Sequence, residues 1–238
     1  MENIKGKNIL LVGATGGIGS ISAKLLSGSG ANLFLAGRND GKLKKIAGEC
    51  KLPEEKTCCV DITIANEVHA LKEKYFAQYD TIDILINAAG TGIIKPVETL
   101  EVSEFISTIQ NNLTGPFLLV KNFITSMKEQ KKGLIINIPG VLGKVPMAGA
   151  AAYSASKYGL VGMMQSIREE VKRTEIRITN LFLGGVNTPF WDTIDLRVQK
   201  EKMVQAEEAA RAIWFLCQQP ANAVVSEMVL QPFNHQAI

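Results

Sequence analysis

The chain is poor in cysteine and histidine, the residues that most often bind metals or form redox pairs. It has four cysteines and two histidines among 238 residues. Cys50, Cys58, Cys59 and Cys217 show no C-x-x-C spacing and have no histidine partner close by in the sequence. Neither a zinc site nor a redox-active pair is therefore predicted. Isolated thiols are typical of a reducing compartment, so we expect a cytoplasmic protein.

The sequence also lacks a strong charge of either sign and any long apolar segment. Its 26 basic and 23 acidic residues leave a net charge of +3, far from that of a dedicated nucleic-acid-binding protein. Lys42, Lys44 and Lys45 indicate one solvated helix face. No apolar run reaches the roughly 18 residues of a membrane-spanning helix, and the first apolar stretch is too short for a signal peptide. We expect neither nucleic acid nor a membrane among its partners.

Short apolar runs that predict strands alternate with longer patterns that predict helices along the whole chain. The predicted strands have the sequences NILLVGA, NLFLAG, TCCVDI, DILINAAG, LIINI, RITNLFL and EMVLQ. The predicted helices span residues 17–29, 42–48, 65–78, 102–129, 152–173 and 206–217. This alternation predicts an α/β fold, a doubly wound, seven-stranded parallel sheet with helices on both faces. No linker interrupts it, so residues 1–238 are expected to form a single domain.

A glycine-rich turn follows the first predicted strand. Its residues are Gly13, Ala14, Thr15, Gly16, Gly17, Ile18 and Gly19. In doubly wound sheets, ligands bind beyond the carboxyl ends of the strands. Glycines let the backbone approach a pyrophosphate, and the helix that begins there supplies free N–H groups. The turn favours dinucleotide binding, with tight packing of strand and helix as the alternative explanation.

The residues after the second and third strands bear on which dinucleotide binds. Gly37 followed by Arg38 leaves room for a 2′-phosphate and offers it a bidentate partner. NADP(H) is therefore the expected cofactor and NAD(H) the alternative, although Arg38 is also explained as a surface residue in a turn. Asp61 and Ile62 are included in the predicted site. Asp61 is suited to accept a hydrogen bond from the adenine amino group, or to stabilise a turn.

The segment Tyr153-Ser154-Ala155-Ser156-Lys157 lies at the start of a predicted helix. Spacing of i and i+4 places the phenol and the ammonium on one helix face. The cation is expected to lower a tyrosine pKa that starts near about 10. Such a phenol can protonate a carbonyl oxygen while a nicotinamide delivers hydride to the carbon. A Y-x-x-x-K spacing alone is common on ordinary helices.

Together these motifs resemble the single-domain short-chain dehydrogenase/reductase family over about residues 7–230. The resemblance implies a Rossmann-type sheet, an NAD(P)(H) cofactor and oxidoreductase activity. Further motifs of that family occur in order after the fourth predicted strand, within the predicted helix 102–129 and after the sixth predicted strand. They contain Asn87, Ala88, Ala89 and Gly90, then Asn112 within an Asn-Leu-x-Gly-x-Phe run, and finally Val186 and Thr188.

The resemblance also implies roles for individual residues. Tyr153 is the general acid/base, and Lys157 lowers its pKa and holds the nicotinamide ribose. Asn112 supports a water relay to Lys157. Val186 and Thr188 contact the nicotinamide carboxamide, while the backbone of residues 87–90 contacts the cofactor.

One position departs from the family's pattern. The family's catalytic serine lies thirteen residues before the tyrosine, where this chain has Gly140. Loss of such a donor costs about 3 kcal/mol of transition-state stabilisation. Gly140 either eases a tight turn or makes room for a bulkier substrate. Two functions are therefore considered: an NADP(H)-dependent oxidoreductase interconverting a carbonyl compound and an alcohol, and a catalytically weak or inactive NADP(H)-binding regulatory or scaffold protein of the same fold.

Substrate and assembly are less clearly encoded. Phe190 and Trp191 are expected to wall an apolar substrate pocket and Arg197 to meet an anion, and each is equally explained by packing or surface exposure. The short segment between residues 188 and 206 favours a small or exposed substrate.

The helices at 102–129 and 152–173 carry more apolar residues than one sheet face needs. The family uses these helices to form dimers and tetramers, so a homodimer or homotetramer is expected, with simple coverage of the sheet as the alternative.

Overall fold

The computed structural model of the chain describes residues 1–194 and 196–233. Its centre is a seven-stranded sheet in which all neighbouring strands are parallel. A separate pair of two-residue strands lies beside it. In chain order the strands are β1 Asn8–Val12, β2 Asn32–Gly37, β3 Thr57–Cys59, β4 Ile84–Asn87, β5 Lys132–Asn137, β6 Glu175–Leu183, β7 Val186–Asn187, β8 Val204–Gln205 and β9 Glu227–Leu230.

The α-helices lie close to the predicted positions, with one correction. They are α1 Gly17–Gly28, α2 Asp40–Glu49, α3 Ala65–Phe76, α4 Val102–Ile109, α5 Gly115–Gln130, α6 Ala151–Val171 and α7 Ala206–Cys217. The single helix predicted over residues 102–129 is instead two helices joined by the π-helical segment Gln110–Thr114. The apolar residues repeat with a helical period before and after this single wide turn. The pattern alone therefore did not reveal the π-helical segment.

Two further differences concern short strands. The third strand, predicted over residues 57–62, ends at Cys59, because the chain turns at Asp61, whose side chain accepts hydrogen bonds from Thr63. Strands β7 and β8 were not predicted. Two residues are too few to show the alternation by which strands are recognised.

The strand order is β3-β2-β1-β4-β5-β6-β9, and it reverses direction between β1 and β4. Alternate residues of β1 enter two separate cores. Ile9 and Leu11 pack with α1, α2 and α7 on one face of the sheet. Leu10 and Val12 pack with α3, α5 and α6 on the other. Burial on both faces explains the continuous apolar strands, and the predicted doubly wound fold is confirmed.

Within the described residues, no helix is both long and apolar enough to cross a membrane. The same part of the chain brings together no group of three His, Cys, Asp or Glu side chains that would suit a metal ion.

Candidate active site

Two adjoining cavities form a groove along the carboxyl edge of the sheet, where the strand order reverses. The smaller, of about 150 Å³, lies beyond β1, β2 and β4. The larger, of about 410 Å³, extends past β5 and β6. Both are lined by Thr15, Gly16, Ala88 and Gly90, so the groove is continuous. This is the position at which doubly wound sheets bind ligands.

The glycine-rich turn forms the floor of this groove. Gly13 has φ +82°, and a Cβ there would lie 2.5 Å from the Ala89 backbone nitrogen. A Cβ at Gly19 would lie 2.2 Å from the Gly13 carbonyl oxygen. Helix α1 begins here, and no side chain caps its first N–H groups. Glycine therefore serves tight packing, and the open helix terminus is compatible with the predicted pyrophosphate.

Most of the predicted cofactor residues line the groove. They are Gly13, Thr15, Gly16, Arg38, Ile62, Ala88, Ala89 and Gly90 in the smaller cavity, with Gly17, Ile18, Gly19, Val186 and Thr188 in the larger. Asn87 is not among the lining residues; its buried side-chain amide donates to the Asn137 side-chain oxygen at 3.4 Å.

Asp61 also lies outside the set of lining residues. Its Oδ1 accepts the Thr63 backbone N–H at 2.9 Å and the Thr63 hydroxyl at 2.7 Å. Burial alone would raise the pKa of Asp61, but these hydrogen bonds and the Arg38 charge hold that pKa below its ordinary value. The Asp61 carboxylate therefore stabilises a turn, which was the alternative role considered for it in the sequence.

Two basic side chains reach the groove from the region after β2. Arg38 lines the smaller cavity, and its guanidinium donates to the Asn111 side-chain oxygen at 3.2 Å. Lys42 lines the larger cavity beside Thr15 and Gly16, although sequence analysis placed it on a solvated helix face. The sequence signal that could have identified Lys42 as a groove residue is its position four residues after Arg38, in the first turn of α2.

Tyr153 and Lys157 lie on the same side of α6, as their spacing predicted. Tyr153 lines the larger cavity. Lys157 is only 4 % exposed, and its ammonium donates to the Ile138 carbonyl at 3.2 Å. The ammonium lies 5.5 Å from the centre of the Tyr153 ring.

Burial has opposite effects on the pKa values of these two groups. It raises the pKa of Tyr153 to about 12 and lowers that of Lys157 to about 8. The sequence-based expectation was that Lys157 lowers the tyrosine pKa. In this structure the shift of the Tyr153 pKa has burial as its cause, because desolvation disfavours the phenolate.

Asn112 lies in the π-helical segment, with its side chain fully hydrogen-bonded. Its Oδ1 accepts the Thr91 N–H at 2.9 Å, and its Nδ2 donates to the Thr91 carbonyl at 2.8 Å and to the Ser156 hydroxyl at 3.0 Å. Ser156 in turn donates to the Tyr153 carbonyl at 2.7 Å. Asn112 thus ties the segment after β4 to α6. Sequence analysis did not identify Thr91 and Ser156 as partners of Asn112. The one available signal was that Ser156 is a polar residue between Tyr153 and Lys157.

Gly140 borders the larger cavity with a backbone conformation that excludes most other residues. Its φ is +69° and its ψ 168°, a region that is essentially restricted to glycine. A Cβ there would lie 3.4 Å from the Leu183 carbonyl oxygen, so backbone conformation rather than lack of space selects glycine. This gives the tight-turn explanation a structural basis.

The segment after β7 closes the larger cavity. Phe190 and Trp191 both line it, from the 3₁₀ helix Pro189–Thr193. The Phe190 ring centre lies 6.0 Å from that of Tyr153. The Trp191 indole N–H donates to the Val186 carbonyl at 2.9 Å. Arg197, the proposed anion partner, is not among the residues that line the cavity.

Comparison with known proteins agrees with this geometry. Residues 7–199 match the short chain dehydrogenase family. An uncharacterized oxidoreductase of Staphylococcus saprophyticus is 32% identical over 244 residues, covering 98% of each chain. The alcohol dehydrogenase of the archaeon Thermococcus sibiricus, solved with 5-hydroxy-NADP, has a TM-score of 0.88 at 26% identity, covering 98% of this chain and 99% of that one. A metagenomic short-chain oxidoreductase solved with NADP has a TM-score of 0.83 at 29% identity, covering 97% and 99%.

The chain therefore belongs to the short-chain dehydrogenase family, a family of oxidoreductases. The expected family and enzyme class are confirmed.

Substitution of Gly140 tests the role of its backbone conformation. Gly140→Ser and Gly140→Ala should each lower the free energy of unfolding by about 1–3 kcal/mol, because a side chain is strained at this φ and ψ. Gly140→Ser should not raise turnover. Urea unfolding measures the first effect, with Gly162→Ala as control. A Cβ at Gly162, on α6, meets no atom within 4 Å, so that change should stabilise by about 0.5–1 kcal/mol. An undiminished stability for Gly140→Ser would contradict the expectation.

Proposed function

We propose that this protein is an NADP(H)-dependent oxidoreductase that interconverts a carbonyl compound and an alcohol, with Tyr153 as the general acid/base. The observation that carries the proposal is the position of Tyr153. Its side chain lines the same groove as the glycine-rich turn, with the Lys157 ammonium behind it. The NADP-type ligands of two similar solved structures support the choice of cofactor.

The residues of the groove fit such a cofactor from end to end. The uncapped N-terminus of α1 would hold the pyrophosphate, and Arg38 with Lys42 would hold the 2′-phosphate. Val186 and Thr188 would contact the carboxamide, and Lys157 the nicotinamide ribose. When bound, the nicotinamide exchanges hydride with the substrate carbon.

Tyr153 is protonated at neutral pH, as carbonyl reduction requires. A phenol whose pKa is about 12 stays protonated at neutral pH and has a proton ready for the carbonyl oxygen. With glycine in place of the family's serine, Tyr153 is the proposed principal donor to that oxygen. The buried ammonium of Lys157 argues against the inactive alternative, because burial of a charge is costly and a protein without chemistry gains nothing from it.

Tyr153→Phe tests the proposed chemistry. Loss of the proton donor should lower kcat of carbonyl reduction by about 100-fold to 10,000-fold. NADPH affinity should change little, because the ring and its packing are kept. Turnover is followed by NADPH absorbance and affinity by fluorescence titration. Equal turnover by Tyr153→Phe and the unmodified protein would contradict the assigned role.

Arg38→Ala and Lys42→Ala test the choice of cofactor. Each should weaken NADPH binding by roughly tenfold to a hundredfold and leave NADH binding nearly unchanged, since only NADPH carries the 2′-phosphate. Lys45→Ala is the matched control, because Lys45 is exposed on α2 and does not line the groove. Equal losses for both nucleotides would contradict this assignment.

The pH dependence of turnover follows from the two shifted pKa values. Lys157 is charged below its pKa of about 8, and Tyr153 stays protonated up to about pH 12. Carbonyl reduction should therefore be constant at lower pH and decline as pH rises through about 8, where Lys157 loses its proton. Alcohol oxidation requires the tyrosine to accept a proton, so it should increase toward alkaline pH. A reduction rate that rises through pH 8 would contradict this scheme.

We also propose that the chain forms a homodimer or homotetramer through α4, α5 and α6. Val102, Phe105 and Ile106 on α4, Phe117 on α5 and Tyr158 on α6 are all exposed. Leu160 and Met164 are buried against the sheet, so coverage of the sheet accounts for only part of the apolar surface. Light scattering should give two or four times the chain mass of 25.8 kDa. Phe105→Glu with Ile106→Glu should shift the mass toward one chain, and a wild-type mass of one chain would contradict the proposal.

A further inference from the structure

The larger cavity is apolar where it leaves the glycine-rich turn. Ile94, Val141, Leu142, Met147, Leu183 and Phe190 line that part. Among the described residues that line the cavity, Lys42 is the one charged side chain, and it lies beside Thr15 and Gly16 at the cofactor end. The Lys157 ammonium lies behind Tyr153, but it donates to the Ile138 carbonyl and in the proposed function also holds the nicotinamide ribose. A charged group on a substrate would therefore meet no charged partner among the described residues that line the apolar part.

One wall of this region is a continuous aromatic surface. The ring centres of Tyr153 and Phe190 are 6.0 Å apart, with an angle of 37° between the rings. Trp191 meets Phe190 edge to face at 5.3 Å. The indole N–H is already bonded to the Val186 carbonyl, so Trp191 presents an apolar ring and no free donor. Aromatic rings favour stacked or edge-to-face contact with a further ring.

The Phe190 ring occupies space that a side chain at residue 92 would otherwise fill. A Cβ at Gly92 would lie 2.2 Å from the Phe190 Cζ. Gly140 also lines the cavity, and its backbone conformation requires glycine. The lack of a side chain at residue 92 thus leaves room for Phe190, and the lack of one at residue 140 leaves the cavity without a hydroxyl near the proton donor.

Polar side chains are few along this part of the cavity. Thr188 bonds the Val186 carbonyl at 3.4 Å and lies against Gly17, on the cofactor side. Thr15 and Lys42 lie at the cofactor end, so among the described lining residues the Tyr153 hydroxyl is the side-chain donor of the apolar part. One donor satisfies one carbonyl oxygen, whereas sugars and keto acids bring further polar groups that would lose their water without replacement.

We propose that the substrate is an uncharged carbonyl compound with an aromatic ring attached to or conjugated with the reacting carbon, and that Phe190 selects for that ring. This rests on the proposed function. Hydride from NADPH would add to the carbonyl carbon, and the Tyr153 proton to the oxygen. The products are an uncharged aryl alcohol and NADP⁺, and Tyr153 regains a proton from solvent.

Four compounds separate the effect of the ring from that of the charge: methyl benzoylformate, benzoylformate, methyl pyruvate and pyruvate. In each, the charge or ester is next to the reacting carbon and cannot remain in solvent. At saturating NADPH, kcat/KM for methyl benzoylformate should exceed that for benzoylformate by at least about a hundredfold. It should exceed that for methyl pyruvate by at least about tenfold, because the ring buries additional apolar surface.

Variants of Phe190 test its selective role. Phe190→Ala should reduce the preference for methyl benzoylformate over methyl pyruvate by about fivefold to tenfold and leave the discrimination against charge. Phe190→Leu keeps apolar bulk if the alanine variant does not fold, and should reduce the same preference. Phe215→Ala is the matched control, because Phe215 is exposed on α7 and away from the cavity; it should change neither ratio. Unchanged ratios in the Phe190 variants would overturn its assigned role.

A binding measurement gives a readout that does not depend on turnover. The chain has two tryptophans, and Trp214→Phe leaves Trp191 as the single reporter. In protein saturated with NADPH, which fills the cofactor end and cannot react with an alcohol, methyl mandelate should saturate a change in Trp191 fluorescence at a concentration at least about tenfold lower than mandelate. Equal affinities, or tighter binding of mandelate, would overturn the proposed substrate class.

The outcomes distinguish the two proposals. Tyr153-dependent turnover that favours pyruvate or benzoylformate would keep the proposed function and overturn the substrate class. Selective binding of methyl mandelate without turnover of any of the four compounds would support the pocket chemistry and count against the oxidoreductase assignment. Absence of both binding and turnover with the uncharged aryl compounds would overturn the substrate class.

Discussion

The geometry of the site depends on an ammonium group held almost out of contact with water. Burial of the Lys157 charge is unfavourable unless polar groups replace its hydration, and the Ile138 carbonyl accepts one of its protons. That carbonyl is free to do so because β5 ends at Asn137, one residue earlier. Asn112 holds the other side of the site by bonding Thr91 and Ser156. The π-helical segment, the end of β5 and the start of α6 are thus fixed relative to one another around one cation.

The same environment sets the chemistry of Tyr153. Lys157 is buried and Tyr153 is half-buried, and desolvation makes the neutral form of each more favourable. The pKa of Tyr153 therefore rises while that of Lys157 falls. Tyr153 is therefore protonated at neutral pH and carries the proton that complements hydride delivery to a carbonyl carbon in the proposed reaction.

Backbone conformation shapes the rest of the groove more than side chains do. Gly13 and Gly19 allow close approach at the cofactor end, and Gly92 makes room for Phe190. Gly140 takes a conformation with positive φ that another residue would adopt only under strain. The missing hydroxyl at residue 140 is accordingly a property of the local fold, and apolar surface and an aromatic wall occupy the surroundings of the reacting group.

The sequence by itself determined the sheet, because a strand buried on both faces must be apolar throughout and its helices must repeat at 3.6 residues. It also predicted that Gly13 and Tyr153 line the groove and that Lys157 lies on the same side of the helix as Tyr153, since turns and i, i+4 spacing are local properties. Local pattern left open whether Asp61 serves a turn or the cofactor, placed Lys42 on a solvated helix face, and did not show that Asn112 lies in a π-helical turn. The tertiary structure alone decided the direction of the Tyr153 pKa shift and the contact of Phe190 with Gly92. Burial and close packing arise between segments far apart in the chain, and no local spacing records them.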